Sequence, residues 1–158
     1  IAEIEYDYIT HIGMVATRVL QGLVVTLDCD SNLALQCALL HDTLEDTSTT
    51  YEQLMDKFGI AVADGVKALS KNPSLPRAEQ MQDSLQRILN QPIEVWMVKL
   101  ADRADNLQYV PYHWSSERVA AYREEGQLIL DTLGSANPLL AQYLAERIAQ
   151  YGIWFFLA

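Results

Sequence analysis

The sequence predicts an all-α fold, a helical bundle, on three observations. Apolar residues recur at spacings of three and four along nearly the whole chain, which is the period of an amphipathic helix. Proline, glycine and capping residues separate these segments at short intervals. The one run that resembles a strand, 95–98, has helical periodicity on both sides, which favours a helix there too. With 158 residues and no linker or internal repeat, the chain is predicted to form a single domain over 1–158.

The predicted helices begin and end at identifiable signals. A break at 28–32 ends the first helix and supplies capping residues for the second, which is apolar on nearly all sides and is expected at the centre of the bundle. Thr49 and Glu52 have the spacing of a capping box, and Pro76 and Pro92 suit the first turns of later helices. In chain order the predicted helices cover 12–27, 33–40, 49–58, 60–69, 77–90, 93–109, 115–133 and 138–151.

Charge and cysteine content restrict the partners and the compartment. The net charge of -10 argues against a long nucleic acid, because binding to one depends on Lys and Arg neutralising phosphates. A small anionic substrate would need a bound cation or a local basic cluster. Cys29 and Cys37 form neither a disulfide framework nor a zinc ribbon, and they suit a reducing cytoplasm. No apolar run approaches the roughly 20 residues that span a bilayer, so no membrane partner is expected.

A polar cluster follows the most apolar predicted helix. His41 and Asp42 lie at its carboxyl end, and Glu45 and Asp46 lie four positions after them, so on a helix each pair shares a face. A lone His-Asp pair at a helix end more often caps the helix or forms a salt bridge. Four such groups beside an apolar segment cost stability through desolvation and repulsion unless a cation compensates them. Imidazole and carboxylate are ligands for divalent metals, so the cluster is a candidate metal site.

A second polar cluster lies within the predicted helix 93–109. Asp102 and Asn106 are four residues apart and share a face, while apolar residues just before them direct this helix against the core. The carboxylate of Asp102 could reach the same metal. The alternative is an ordinary i, i+4 pair on a solvated face.

Taken together, the motifs resemble those of the HD-domain phosphohydrolases. His11, the His41–Asp42 pair and Asp102 match the H…HD…D pattern of that superfamily. Four longer strings are similar to the hydrolase domain of the RelA/SpoT family, and stand-alone members of the metazoan SpoT homolog type are similar in length. These strings are YITH at 8–11, ALLHDTLEDT at 38–47, FG at 58–59 and VKLADRADN at 98–106. The similarity covers about 8–134, with a further C-terminal helix at 138–151.

The resemblance implies hydrolysis of the 3′-pyrophosphate of (p)ppGpp to give GDP or GTP and pyrophosphate, with one divalent metal, most often Mn²⁺. It assigns Glu45 and Asp46, in the family's HDxxED motif, to general acid–base catalysis on water and leaving group. The implied metal ligands are His11, His41, Asp42 and Asp102. The implied substrate-binding residues are Asn106, Arg118 and Tyr122, the last two from an R-x-x-x-Y pair.

Two departures from the family and one surface expectation complete this interpretation. Ile12 stands where the family usually has Pro, and 1–7 is acidic where the family has a basic, Gly-containing segment. Some of five basic residues are expected to line the mouth of the site. These five are Lys71, Arg77, Lys99, Arg103 and Arg118. Aromatic residues near the C-terminus are expected either in the core or in a homodimer contact, namely Tyr143, Tyr151, Trp154, Phe155 and Phe156.

Two alternative functions stay open on sequence grounds. One is an HD phosphohydrolase acting on another nucleotide or on a phosphorylated dinucleotide. The other is an inactive nucleotide-binding regulatory module, although the presence of every implied ligand position together with Glu45 and Asp46 argues against decay of the site.

Overall fold

A computed structural model describes residues 8–153, and within that range the protein is helical with no β-strand. The all-α prediction is therefore confirmed. The helices, in order, are α1 (Tyr8–Val24), α2 (Ser31–Leu40), α3 (Thr43–Asp46), α4 (Tyr51–Phe58), α5 (Ile60–Leu69), α6 (Arg77–Leu89), α7 (Ile93–Asn106), α8 (Ser116–Leu133) and α9 (Pro138–Gln150). The single-domain prediction over 1–158 includes terminal residues outside the described range and stays a prediction.

Helix α7, and not α2, occupies the centre of the bundle. It packs against α1, α2, α8 and α9, and eleven of its fourteen residues are buried. By contrast Leu39 on α2 is half exposed. The sequence pattern does not predict the extent to which α7 is buried, because several of its buried residues are charged. Ion pairing, such as that of Lys99 with Asp102, makes their burial possible. The expectation that α2 is the central helix was wrong.

The cap of α2 is as predicted, and the capping box of α4 lies one residue later than predicted. The Asp30 side chain accepts the backbone N–H groups of Asn32 and Leu33 and caps α2, as the break at 28–32 predicts. The capping box of α4 is formed by Thr50 and Gln53, not by Thr49 and Glu52. Helix α7 ends at Asn106, three residues before the predicted end.

Close helix packing places α5 against both α2 and α7. A Cβ atom added to Gly65 would lie 2.8 Å from Cys37 Sγ and 3.0 Å from Val95 Cγ2, so the glycine is what lets the three helices approach. This contact secures α2, whose carboxyl end carries His41, against α7. No helix within residues 8–153 combines the length and apolar character needed to cross a bilayer.

Of the C-terminal aromatic residues that the structure describes, Tyr151 belongs to the core and Tyr143 is half-buried against it. Tyr151 is buried, with its ring next to that of Tyr122, and Tyr143 lies against the guanidinium of Arg18. Trp154, Phe155 and Phe156 lie outside the described residues, as does the acidic segment 1–7. The homodimer stays a prediction.

Candidate metal centre

Three helices bring the predicted ligands to one point. His11 comes from α1, His41 terminates α2, and Asp102 lies on the buried face of α7. The Nε2 atoms of the two histidines are 3.3 Å apart, and Asp102 Oδ1 lies 3.6 Å from His11 Nε2 and 3.8 Å from His41 Nε2. One ligand atom from each of these residues therefore falls within 4.8 Å of the others.

Asp42 lies at the edge of the same cluster. Its Oδ2 atom is 3.1 Å from His41 Nε2 and 3.8 Å from His11 Nε2. The same oxygen accepts the hydroxyl of Tyr8 at 2.9 Å. The structure thus brings all the predicted ligand positions, His11, His41, Asp42 and Asp102, around one small volume.

Hydrogen bonds on the opposite nitrogen orient both imidazoles. His41 Nδ1 donates to the carbonyl of Ala38 at 2.8 Å, and His11 Nδ1 lies 2.7 Å from Asp105 Oδ2. Each bond favours a proton on Nδ1 in the neutral ring, which leaves the lone pair on Nε2. Both lone pairs therefore point into the space shared with Asp42 and Asp102.

This arrangement fits a divalent cation. Two nitrogen lone pairs 3.3 Å apart repel one another unless a proton or a cation lies between them. Ligand atoms about 2.1 Å from a common ion are separated by about 3.0 to 3.4 Å, which agrees with that spacing. A set of imidazole and carboxylate donors suits borderline and hard first-row metals.

The electrostatics of the site favour positive charge at its centre. Burial lowers the pKa of His41, but its bond to Asp42 and the charges of Asp102 and Asp42 outweigh burial and raise that pKa to about 9. For Asp102, burial acts to raise the pKa, and the charges of Lys99, His41 and His11 outweigh it, so the pKa lies well below its usual range. The carboxylates thus stabilise a cation between the two imidazoles.

The backbone from His41 to Asp46 is not one continuous helix. Helix α2 ends at Leu40, and α3 begins at Thr43 after a turn. Asp42 and Asp46 still lie one turn apart, because Asp46 N–H bonds to the Asp42 carbonyl at 2.9 Å. The Glu45 carboxylate bonds to the loop after α5, where its Oε1 atom accepts the backbone N–H of Lys71 at 2.7 Å.

The described residues form two cavities, and the first of them includes the candidate ligands His11 and Asp42 in its wall. The first measures about 610 Å³ and the second about 490 Å³. The first is lined by Tyr8, Thr10, His11, Met14, Asp42, Asp46, Asp105, Asn106, Gln108 and Tyr109. The second is lined by Lys71, Arg77, Gln80, Met81, Trp114, Arg118, Ala121, Tyr122 and Glu125. Acidic groups are thus concentrated in the first cavity and basic groups in the second.

The predicted substrate-binding residues divide between these cavities. Asn106 lines the first cavity, and its amide donates to Asp102 Oδ1 at 2.5 Å. Arg118 and Tyr122 line the second, where Arg118 lies 4.1 Å from the centre of the Trp114 ring. Burial raises the pKa of Tyr122, although the charge of the neighbouring Arg103 opposes this.

The five candidate cations have two different roles. Lys71, Arg77 and Arg118 line the second cavity. Lys99 and Arg103 are buried instead. Lys99 donates to Asp102 Oδ2 at 3.0 Å, and the guanidinium of Arg103 lies 4.1 Å from the centre of the Tyr122 ring.

Sequence analysis missed two residues that contact the candidate ligands. Asp105 bonds to His11, and Tyr8 bonds to Asp42. In the sequence, Tyr8 belongs to the YITH string and Asp105 to the VKLADRADN string, and neither motif predicts a role for them. The available signal for Asp105 was its spacing of three from Asp102, which places both carboxylates on one side of a helix.

Sequence similarity shows which family the chain belongs to. A sequence model of the HD domain matches residues 4–139. The chain belongs to the HD-domain family. Relatives of this HD domain include guanosine-3′,5′-bis(diphosphate) 3′-pyrophosphohydrolase MESH1 of Danio rerio, 32% identical over 92% of the chain and 81% of that protein. The Homo sapiens MESH1 is 32% identical over 77% of the chain and 70% of that protein.

A solved structure has the same fold as this HD domain. It is that of a metazoan ortholog of SpoT that hydrolyses ppGpp and plays a role in starvation responses. It aligns with a TM-score of 0.79 and 28% identity, over 94% of this chain and 83% of that one. Membership of the family, together with the His and Asp cluster, implies that the centre binds a divalent metal.

Proposed function

We propose that this HD domain is a metal-dependent (p)ppGpp 3′-pyrophosphohydrolase. Water adds to the phosphorus attached to the 3′ oxygen, the bond from that oxygen to phosphorus breaks, and GDP or GTP leaves with pyrophosphate. One observation carries the proposal: the Nε2 atoms of His11 and His41 converge with a carboxylate oxygen of Asp102. The Glu45–Asp46 pair, one turn after Asp42, and the basic groups of the second cavity add to it. The relatives named for this activity support the choice of substrate.

The proposed metal ligands are His11, His41, Asp42 and Asp102. A divalent cation bound there lowers the pKa of water and polarises phosphoryl oxygens. Because the donor set mixes neutral nitrogen with anionic oxygen, we propose Mn²⁺. Lys99 and Asn106 hold Asp102 in place by donating to its two different oxygens.

Asp46 and Glu45 serve as the acid–base pair. Asp46 lines the first cavity together with His11 and Asp42, where its carboxylate can accept a proton from attacking water. Glu45 is held by the Lys71 backbone, and Lys71 lines the second cavity. The pair therefore extends from the first cavity, which Asp46 lines, towards Lys71 at the second.

The second cavity accommodates the phosphates. Lys71, Arg77 and Arg118 supply positive charge in a chain whose net charge is -10, so this cavity is where a polyphosphate meets least repulsion. Tyr122 adds a hydroxyl at its wall, and Asn106 offers an amide from the first cavity. These basic and polar side chains support a small nucleotide as the partner.

The cytoplasm is the compartment that fits the proposal. Cys29 and Cys37 are both free thiols. A reducing compartment keeps thiols in that state.

The deciding experiment is a nucleotide panel assayed with added Mn²⁺ on the unaltered chain and on His41→Ala. We expect release of pyrophosphate from ppGpp and pppGpp, and loss of both Mn²⁺ binding and turnover in His41→Ala, because the variant removes a buried ligand. His113→Ala is the matched control, since His113 is exposed and its ring lies against that of its neighbour Tyr112. Full turnover by His41→Ala would refute the site.

The same panel separates the alternative functions. Release of orthophosphate from a phosphorylated dinucleotide, with no pyrophosphate from ppGpp, would indicate a different HD phosphohydrolase. Binding of ppGpp without product from any nucleotide would indicate a regulatory module.

A further inference from the structure

Asp105 places a buried carboxylate behind the metal centre. It lies on α7, three residues after Asp102, and only 8% of it is exposed. Its Oδ2 atom lies 2.7 Å from Nδ1 of His11. It thus contacts a proposed ligand through the ring nitrogen that points away from the shared volume.

Asp105 is itself held from two sides. Arg18 Nη2 lies 3.4 Å from Asp105 Oδ1, and the side-chain amide of Gln108 donates to the same oxygen. Arg18 is also buried, at 5% exposed, and its guanidinium lies 4.0 Å from the centre of the Tyr143 ring on α9. A buried carboxylate with a counter-charge and fixed donors has its orientation determined by the surrounding packing.

We propose that Asp105 is a positioning residue of the metal centre, which orients His11 by accepting its Nδ1–H, and that Arg18 and Gln108 fix Asp105 for this role. A carboxylate on the outer nitrogen selects the tautomer with the lone pair on Nε2 and makes that nitrogen a stronger donor. One turn of α7 then supplies both the ligand Asp102 and Asp105, the residue that orients the ligand His11. The inference rests on the proposed function only in taking His11 as a metal ligand.

The test compares Mn²⁺ affinity in the full chain and in Asp105→Asn, measured by titration calorimetry or by electron paramagnetic resonance. We expect the dissociation constant to rise about 10- to 100-fold, the usual effect of losing such a partner. Saturating Mn²⁺ should restore turnover, and Asp105→Glu should recover part of the affinity. The matched control is Asp131→Asn, an exposed carboxylate that accepts from Gln127 on α8. Unchanged affinity in Asp105→Asn would overturn the proposal.

A second measurement applies even if Asp105→Asn does not fold. Nitrogen-15 NMR of the unaltered chain loaded with diamagnetic Zn²⁺ reports which nitrogen of His11 carries the proton. We expect Nδ1 to carry it, and an unprotonated Nδ1 would overturn the proposal.

These results separate the two proposals. An unaltered chain that binds Mn²⁺ but hydrolyses no nucleotide would refute the proposed function, while weaker binding by Asp105→Asn would still support the positioning role. Hydrolysis of ppGpp with unchanged affinity in the variant would refute only the positioning role. An unaltered chain that binds no divalent metal would refute both.

Discussion

The two histidines of the candidate centre are oriented by hydrogen-bond partners that lie at different distances along the chain. His41 Nδ1 bonds to a carbonyl three residues earlier, so the end of α2 sets its tautomer locally. His11 Nδ1 bonds to Asp105, ninety-four residues later. A motif in the sequence could identify both imidazoles, but only the local partner follows from sequence position. The partner of His11 depends on how α1 packs against α7.

Asp46→Asn is expected to lower kcat on the order of 10² to 10⁴ while leaving Mn²⁺ affinity near that of the unaltered chain. The reason is that the Asp46 side chain lines the first cavity but lies outside the tight group formed by His11, His41 and Asp102. Steady-state kinetics of ppGpp hydrolysis at saturating metal measure the effect. Asp56→Asn, an exposed carboxylate on α4, serves as the control. Retained kcat in Asp46→Asn would remove it from the acid–base pair.

Short helical elements set the local geometry of the centre. The end of α2 at Leu40 and the start of α3 at Thr43 leave His41 and Asp42 in a turn. Asp42 Oδ2 therefore lies 3.1 Å from His41 Nε2, although the two residues are adjacent in sequence. On one continuous helix, neighbouring side chains diverge by about 100° and do not face each other. The turn between α2 and α3 is thus the element that carries both residues of the adjacent His–Asp pair to one site.

Thr50→Ala is expected to lower the free energy of unfolding by about 1 kcal/mol, because it removes the N-cap of α4 and its capping box. Thr49→Ala is the matched comparison, since Thr49 lies outside that box, and it should cost less. Urea denaturation of both variants measures the difference. A larger loss for Thr49→Ala would place the capping box at the position that the sequence predicted.

The whole molecule brings together groups that are far apart in the chain. The proposed ligands come from α1, the α2–α3 turn and α7, and each contributes charge or lone pairs that are unfavourable when brought together without a cation. Folding of the metal-free chain therefore depends on protons at this centre, and metal binding is coupled to the stability of the bundle.

Stability of the metal-free chain is expected to fall as pH rises towards and through about 9. The folded-state pKa of His41 is raised to about 9 from the 6.5 of an unperturbed imidazole. Because the folded state binds this proton more tightly than the unfolded state, the proton contributes its full stabilisation below pH 6.5. That contribution is lost as the pH rises from 6.5 through the folded-state pKa of about 9. The loss is on the order of 2 to 3 kcal/mol. Thermal unfolding across this pH range, after treatment with a chelator, measures it.

Adding Mn²⁺ gives the complementary result. Metal at about 100 times its dissociation constant should stabilise the fold by about 2.7 kcal/mol. At one fixed Mn²⁺ concentration the gain should be larger at pH 9 than at pH 6, because protons compete with the metal for His41. In His41→Ala both the pH dependence in this window and the gain from Mn²⁺ should diminish. An equal rise in Tm with Mn²⁺ in that variant would place the stabilising metal elsewhere.

The sequence by itself determined the all-α fold, most helix bounds and the polar clusters around His41 and Asp102, because periodicity, capping and motif spacing are local properties of the chain. Only the tertiary structure decided that α7 is the central helix, that Glu45 turns towards Lys71, and that Asp105 bonds to His11. The physical reason is that buried charges look like surface residues in a sequence until packing supplies their partners.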